Sequence, residues 1–130
     1  MSQNEEINEK VPQHIEIKNA KFDPENYNQD AADKIREKYA NRIPVLVWEV
    51  GKGIDTRKRK FIVPVDITVG QFLYVLKKQI TNINSSDGIF LFIYDVNVMP
   101  ASGDLIHKVY NEHNVTGFLR LTVMKENTFG

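Results

Sequence analysis

The sequence contains no cysteine, which excludes disulfides, thiolate nucleophiles and Cys-ligated metal and suits a reducing compartment. Net charge is missing as well. Across 130 residues, 17 basic side chains offset 17 acidic ones, so no global field would draw in nucleic acid or an anionic bilayer. Any charge-based binding must be local. Long apolar runs are also lacking: "IPVLVW" at 43–48 and "IFLFIY" at 89–94 each reach only about a third of a membrane span. The start, "MSQNEEINEK", has neither the basic opening nor the apolar stretch of a signal peptide, and the expectation is a cytoplasmic protein. Histidine is scarce too. Of His14, His107 and His113, the latter two lie six apart on one predicted helix and face different sides, so no metal set or nucleophile–base dyad is legible. No catalytic residue, metal or cofactor is expected, and Ser85 and Ser86 in "NINSSDG" read as a polar turn.

What is present suffices for one domain with one core. Residues 1–14 offer only Met1, Ile7 and Val11 as apolar side chains, too few to offset chain entropy, and read as a mobile arm. "DAADKIREKYA", 30–40, places Ala32, Ile35 and Tyr39 on a narrow helical stripe. "RIPVLVWEV", 42–50, is apolar at nearly every central position, as a strand covered on both faces would be. "GKGIDTR" breaks it, and "KFIVPVDI", 60–67, forms a second strand that Pro64 confines to an edge.

Thr68 and Gln71 then form a capping box that opens a helix. Val69, Leu73, Leu76 and Ile80 share one face of it, with Phe72, Val75 and Gln79 on a flank that is more apolar than one core requires. Further strands are expected at 88–94 and 117–124, separated by a helix over 102–113 capped by Ser102. A hairpin, a crossing helix and two more strands, the last able to lie parallel to the first, give an α+β roll of the β-grasp kind.

Two features suggest binding. "RKRK", 57–60, reads as a solvated loop, as a phosphate-neutralising cluster, or as a cationic rim, because Lys58 and Lys60 share a strand face with Ile62. "KFIVP" presents Phe61 and Val63 on one side and Ile62 on the other. An extended peptide adding to this edge would gain main-chain hydrogen bonds and two side-chain pockets, one toward Ile35 and one toward Phe72 and Val75. The alternative is that all these side chains are simply core.

With those residues in view, the sequence resembles the autophagy ubiquitin-like modifiers that include GABARAP and microtubule-associated protein light chain 3. The resemblance rests on "KIREKYANRIPVLV", "KFIVPVDITVGQFLYVLKKQI" and "ENTFG", and spans about residue 33 to 130. It implies a ubiquitin-like β-grasp roll with additional N-terminal helices, Pro24 matching the proline between them. The domains would then be an arm at 1–14, a helical subdomain at 15–41, a ubiquitin-like domain at 42–124 and a flexible conjugation tail at 125–130.

The resemblance further implies lipid conjugation at Gly130. A processing or delipidating cysteine protease, an activating enzyme using ATP, and conjugating enzymes would be partners, and phosphatidylethanolamine the acceptor. Two pockets would receive adaptor and receptor peptides with an aromatic-x-x-aliphatic motif. Matching positions are Ile35, Pro44, Leu46, Lys60, Ile62 and Phe118 for the aromatic residue, and Phe61, Val63, Pro64, Ile67, Phe72 and Val75 for the aliphatic one. Arg42 and Lys58 would supply a charged rim. The protein would be a monomer in the cytoplasm before lipidation and lie on an autophagosome or related organelle membrane afterwards, with no role in nucleic-acid binding. An unconjugated peptide-binding adaptor is the alternative. Departures from the family pattern include Gln79 in place of an arginine and Trp48 in place of a charged residue, the latter extending the apolar face of Pro44 and Leu46.

Overall fold

The computed structural model describes residues 27–51, 54–56, 59–84 and 86–126. The expected arm, the segment 15–26, Lys58, Ser85 and Gly130 lie outside the described residues. Among the described residues the elements are, in chain order, α1 (Gln29–Lys38), β1 (Arg42–Glu49), β2 (Asp55–Thr56), β3 (Lys60–Pro64), α2 (Val69–Lys77), β4 (Ile80–Thr81), β5 (Ile89–Ile93), α3 (Ile106–His113) and β6 (Leu119–Lys125).

Helix α1 begins where the Asn28 side chain accepts the Ala31 N–H at 2.9 Å. Asp30 in its first turn and Arg36 and Lys38 in its last complement the helix dipole. The backbone leaves helical geometry at Tyr39, so the expected stripe of Ala32, Ile35 and Tyr39 loses its last member. Ala32 is fully buried, Ile35 half-buried and Tyr39 exposed.

Four strands form one mixed sheet in the order β3-β1-β6-β5. β1 runs antiparallel to β3 and parallel to β6, and β6 runs antiparallel to β5. The parallel pairing of first and last strands matches the crossover expected from sequence, and Pro64 lies on an edge strand as its missing N–H requires. Strand alternation divides the side chains cleanly. Ile43, Val45, Val47, Phe61, Val63, Leu119, Leu121 and Val123 pack with α2 and α3 in the main core, whereas Leu46, Trp48 and Phe118 pack with Ala32 on the opposite face. That two-sided burial is why the text of β1 is apolar at almost every position.

The capping box of α2 is formed as expected: Gln71 N–H donates to Thr68 Oγ1 at 3.1 Å and Thr68 N–H to Gln71 Oε1 at 2.8 Å. Its buried stripe differs from the expected face. Val69, Phe72 and Leu76 are inside, Leu73 is half-buried and Val75 exposed, because Phe61 meets Phe72 edge to face at 5.4 Å and draws that ring inward. Ile80 leaves the helix and joins β4, which pairs antiparallel with β2 in a small second sheet that the sequence reading did not anticipate.

Ser102 does not cap the third helix, which starts at Ile106 behind Leu105 with no side-chain cap. The backbone of 102–105 is engaged elsewhere. Asp104 O accepts from Val69 N–H and Ser102 O from Gly70 N–H, each at 2.9 Å, and Ile106 N–H donates to Ile67 O at 2.8 Å. The first two bonds satisfy free amides at the start of α2, and the third satisfies the first amide of α3. A Cβ at Gly70 would lie 3.3 Å from Ser102 O, so the glycine permits the approach. At the other end, β6 continues through Lys125 and Glu126 N–H donates to Gly88 O at 2.9 Å. The boundary expected before Lys125 therefore moves past Glu126.

Candidate peptide-binding site

The outer edge of β3, free of any partner strand among the described residues, is the centre of the candidate site. Residue pairs across β1 and β3 alternate between bonded and non-bonded, and Pro44, opposite Ile62, has no N–H to give. The bonds from Val47 N–H to Arg59 O at 2.9 Å and from Val65 N–H to Asn41 O at 3.1 Å fall on the odd-numbered pairs. Lys60 and Ile62 therefore turn their backbone N–H and C=O groups outward. Pro64 has the same parity, so it costs β1 no bond but offers an added strand no donor. Arg42 bears directly on this edge: its Nη1 donates to Ile62 O at 3.1 Å. The guanidinium expected on the rim thus already engages one of the free carbonyls.

On the outer face, α1 is docked by the turn that precedes β6. Gly117 adopts φ +85°, and a Cβ there would lie 2.4 Å from the Ala32 methyl. Thr116 Oγ1 donates to Tyr27 O at 3.1 Å, and the Tyr27 and Phe118 rings meet edge to face at 5.6 Å. Tyr110 Oη donates to Gly117 O at 2.7 Å and fixes the turn from the other side. Phe118 and Leu46 are fully buried, with half-buried Ile35 packed against their cluster. Pro44 is buried opposite half-buried Ile62, and Lys60, opposite Leu46, is exposed. The six positions matched to the aromatic pocket are therefore distributed over α1, β1, β3 and the residue just before β6 on one face of the sheet.

On the inner face, Phe61, Val63 and Phe72 are buried in the main core, Ile67 packs against it, and Val75 is 45% exposed. The six positions matched to the aliphatic pocket divide into a buried floor of Phe61, Val63 and Phe72, a rim of Ile67 and Val75, and Pro64, which by strand alternation lies on the same face as Ile62. Lys58 lies outside the described residues.

The basic run proved less uniform than its letters. Arg59 turns back over the end of β1: Nη1 donates to Val47 O at 2.7 Å, Nη2 pairs with Glu49 at 3.4 Å, and the guanidinium lies 5.3 Å from the Trp48 ring centroid. A second arrangement that sequence reasoning missed joins β5 and β6. Arg120, nearly buried, pairs through Nε and Nη2 with both carboxylate oxygens of Asp95 and lies over the Tyr94 ring at 5.3 Å. Burial pushes the Tyr94 hydroxyl up to about 12 from 10.0, with Arg120 opposing the shift and Asp95 adding to it. Neither contact has a short-range sequence signal, since the partners are 25 residues apart in one case and cross a loop in the other.

The sheet order, the parallel pairing of first and last strands, and a helix crossing one face define a ubiquitin-like α+β roll, here with α1 packed on the opposite face. Residues 27–130 match the family described as "Autophagy protein Atg8 ubiquitin like". The chain belongs to the Atg8 family. Autophagy-related protein 8a of Arabidopsis thaliana is 43% identical over 102 residues, covering 76% of this chain and 81% of that protein. Autophagy-related protein 8 of Dictyostelium discoideum is 38% identical over 110 residues, covering 82% and 88%. Among solved structures, Trypanosoma brucei ATG8 superposes with TM-score 0.73 at 28% identity, covering 84% of this chain and 93% of that one. Plasmodium falciparum Atg8, solved in complex with a Plasmodium falciparum Atg3 peptide, gives TM-score 0.66 at 27% identity, covering 78% and 89%.

Proposed function

We propose that this protein is a ubiquitin-like modifier conjugated through Gly130 to phosphatidylethanolamine, and that it recruits adaptors bearing aromatic-x-x-aliphatic motifs to autophagosome or related organelle membranes. The observation that carries the reading is the free edge of β3, with outward backbone groups at Lys60 and Ile62 and an apolar cluster on each side. An extended peptide would add as a strand, its alternate side chains directed to the two clusters. The aromatic residue enters between α1 and β3 beside Ile35, Pro44, Leu46, Ile62 and Phe118. The aliphatic residue enters between β3 and α2 beside Phe61, Val63, Pro64, Ile67, Phe72 and Val75. Arg42, Lys58 and Lys60 attract acidic residues flanking the motif.

In this reading the protein is the substrate of activating and conjugating enzymes and of a cysteine protease, and carries out no chemistry itself. The Atg3 peptide bound to the Plasmodium falciparum relative supports a conjugating enzyme among its partners. Beyond Glu126 only four residues separate the docked strand from the Gly130 carboxylate. Extended, they reach roughly 13 Å, and a glycine with no Cβ passes narrow enzyme channels. Two acyl chains then anchor the conjugate, since each buried methylene contributes about 0.8 kcal/mol and one chain alone holds marginally.

Incubation with the family's activating and conjugating enzymes, ATP and phosphatidylethanolamine liposomes is expected to yield a lipidated species that Gly130→Ala abolishes. A lipidated species formed equally by the variant would refute the assignment of Gly130. Peptide binding with no lipidated species would favour an unconjugated adaptor.

A further inference from the structure

Side chains on the outer face of β1 follow one another as Pro44, Leu46 and Trp48. Leu46, Trp48, Phe118 and Ala32 form a single buried cluster in which no member exceeds 4% exposure, and Ile35 packs against it. The Trp48 indole is therefore packed in the same cluster as Ile35, Leu46 and Phe118, the side chains that would line the aromatic pocket.

The indole is also fixed in place. Arg59 covers it at 5.3 Å, and the guanidinium is itself tied to Val47 O at 2.7 Å and to Glu49 at 3.4 Å. Tyr94 flanks it with ring centroids 6.2 Å apart. Swinging the indole aside would give up the cation–π contact, the aromatic contact and the burial of the largest side chain in the cluster. Apolar pockets discriminate by the volume they leave open, and one extra or missing methylene in such a pocket changes discrimination by about tenfold or more.

We propose that Trp48 determines the specificity of the aromatic pocket. As a fixed internal wall it shortens the pocket, so the site accepts a single-ring side chain, phenylalanine or tyrosine, from an acidic extended peptide and rejects an indole. The inference rests on the reading of the β3 edge as a peptide site. The exposed Lys60 and Arg42 on that edge supply the complementary charge.

The test uses two acidic peptides that differ only in carrying phenylalanine or tryptophan at the anchor position, with leucine three positions later. Both are titrated by calorimetry against the native chain, Trp48→Ala and Arg59→Ala, with thermal unfolding of each protein as the check on folding. The native chain is expected to favour the phenylalanine peptide by about tenfold. Trp48→Ala is expected to erase or reverse that preference, and Arg59→Ala, which leaves the indole but frees it, to narrow it. Equal binding of the two peptides by the native chain overturns the proposal and leaves the peptide site intact. So does a preference that survives Trp48→Ala in a folded protein. Should Trp48→Ala fail to fold, an unchanged preference in Arg59→Ala overturns it. Binding of neither peptide to the native chain removes the peptide site itself, and the proposal with it.

Discussion

Gly117 and Ala32 approach so closely that a Cβ on the glycine would come within 2.4 Å of the alanine methyl. That contact docks α1 on the outer face of the sheet, and the φ of +85° at Gly117 is one that residues with a side chain rarely adopt. Gly117→Ala is expected to destabilise the fold by about 3 kcal/mol, combining backbone strain with overpacking against α1. The measurement is the denaturant midpoint, with Gly103→Ala as control, because a Cβ at Gly103 meets nothing within 4 Å. If the two variants unfold together, α1 is not held by this contact.

The α2 capping box supports a second prediction. Thr68 Oγ1 accepts the Gln71 amide at 3.1 Å, and the Gln71 side chain returns to the Thr68 amide at 2.8 Å. Thr68→Ala is expected to cost about 1 kcal/mol in unfolding free energy. Thr68→Ser should retain most of that contribution, and equal loss in both variants would show that the methyl, not the hydroxyl, matters.

Tyr94 provides a pH-dependent prediction. Its hydroxyl is buried with no hydrogen-bond partner among the described residues. Burial raises the folded pKa to about 12 from an unfolded value of 10.0, so the fold favours the neutral phenol. The unfolded chain loses this proton first. Stability contributed by the group is thus complete below pH 10.0 and declines as the pH rises toward about 12. Tyr94→Phe is expected to flatten that decline and, by removing an unpaired buried hydroxyl, to stabilise the protein near neutrality by about 1 kcal/mol. Parallel stability profiles across the alkaline range would contradict the first part, and coincident profiles both.

Elements with strong local signals were legible in the sequence. The two-sided apolar text of β1, Pro64 in β3 and the Thr68–Gln71 pair each specify a burial state or a boundary through their own chemistry, and the structure places them accordingly. The misreadings arose where distant backbone prevailed over local propensity. Ser102 looks like a helix cap, yet its carbonyl is taken by Gly70 N–H, so the helix waits until Ile106. Phe72 looks like a flank residue until Phe61, supplied by another strand, meets it in the core. The same holds around the candidate site: "RKRK" announces charge but not that Arg59 folds back over Trp48, and nothing near Arg120 points to Asp95.

The position of Phe61 also changes how the β3 edge should be tested. Alanine at both Phe61 and Ile62 would be expected to weaken an aromatic-x-x-aliphatic peptide, but Phe61 is buried with its ring edge to face against Phe72 at 5.4 Å. Its removal costs the fold about 3 kcal/mol or more, so lost binding would be confounded with lost packing. Ile62 is half-buried on the outer face, opposite Pro44, and turns its own amide and carbonyl toward the free edge. Ile62→Ala keeps the backbone groups that an added strand would use and removes only the side chain proposed as a wall of the aromatic pocket. It is expected to weaken the peptide about tenfold, equivalent to about 1.4 kcal/mol. Its unfolding midpoint should move far less than that of Phe61→Ala. Unchanged affinity for Ile62→Ala, measured by titration on the folded protein, would place the peptide somewhere other than the edge of β3.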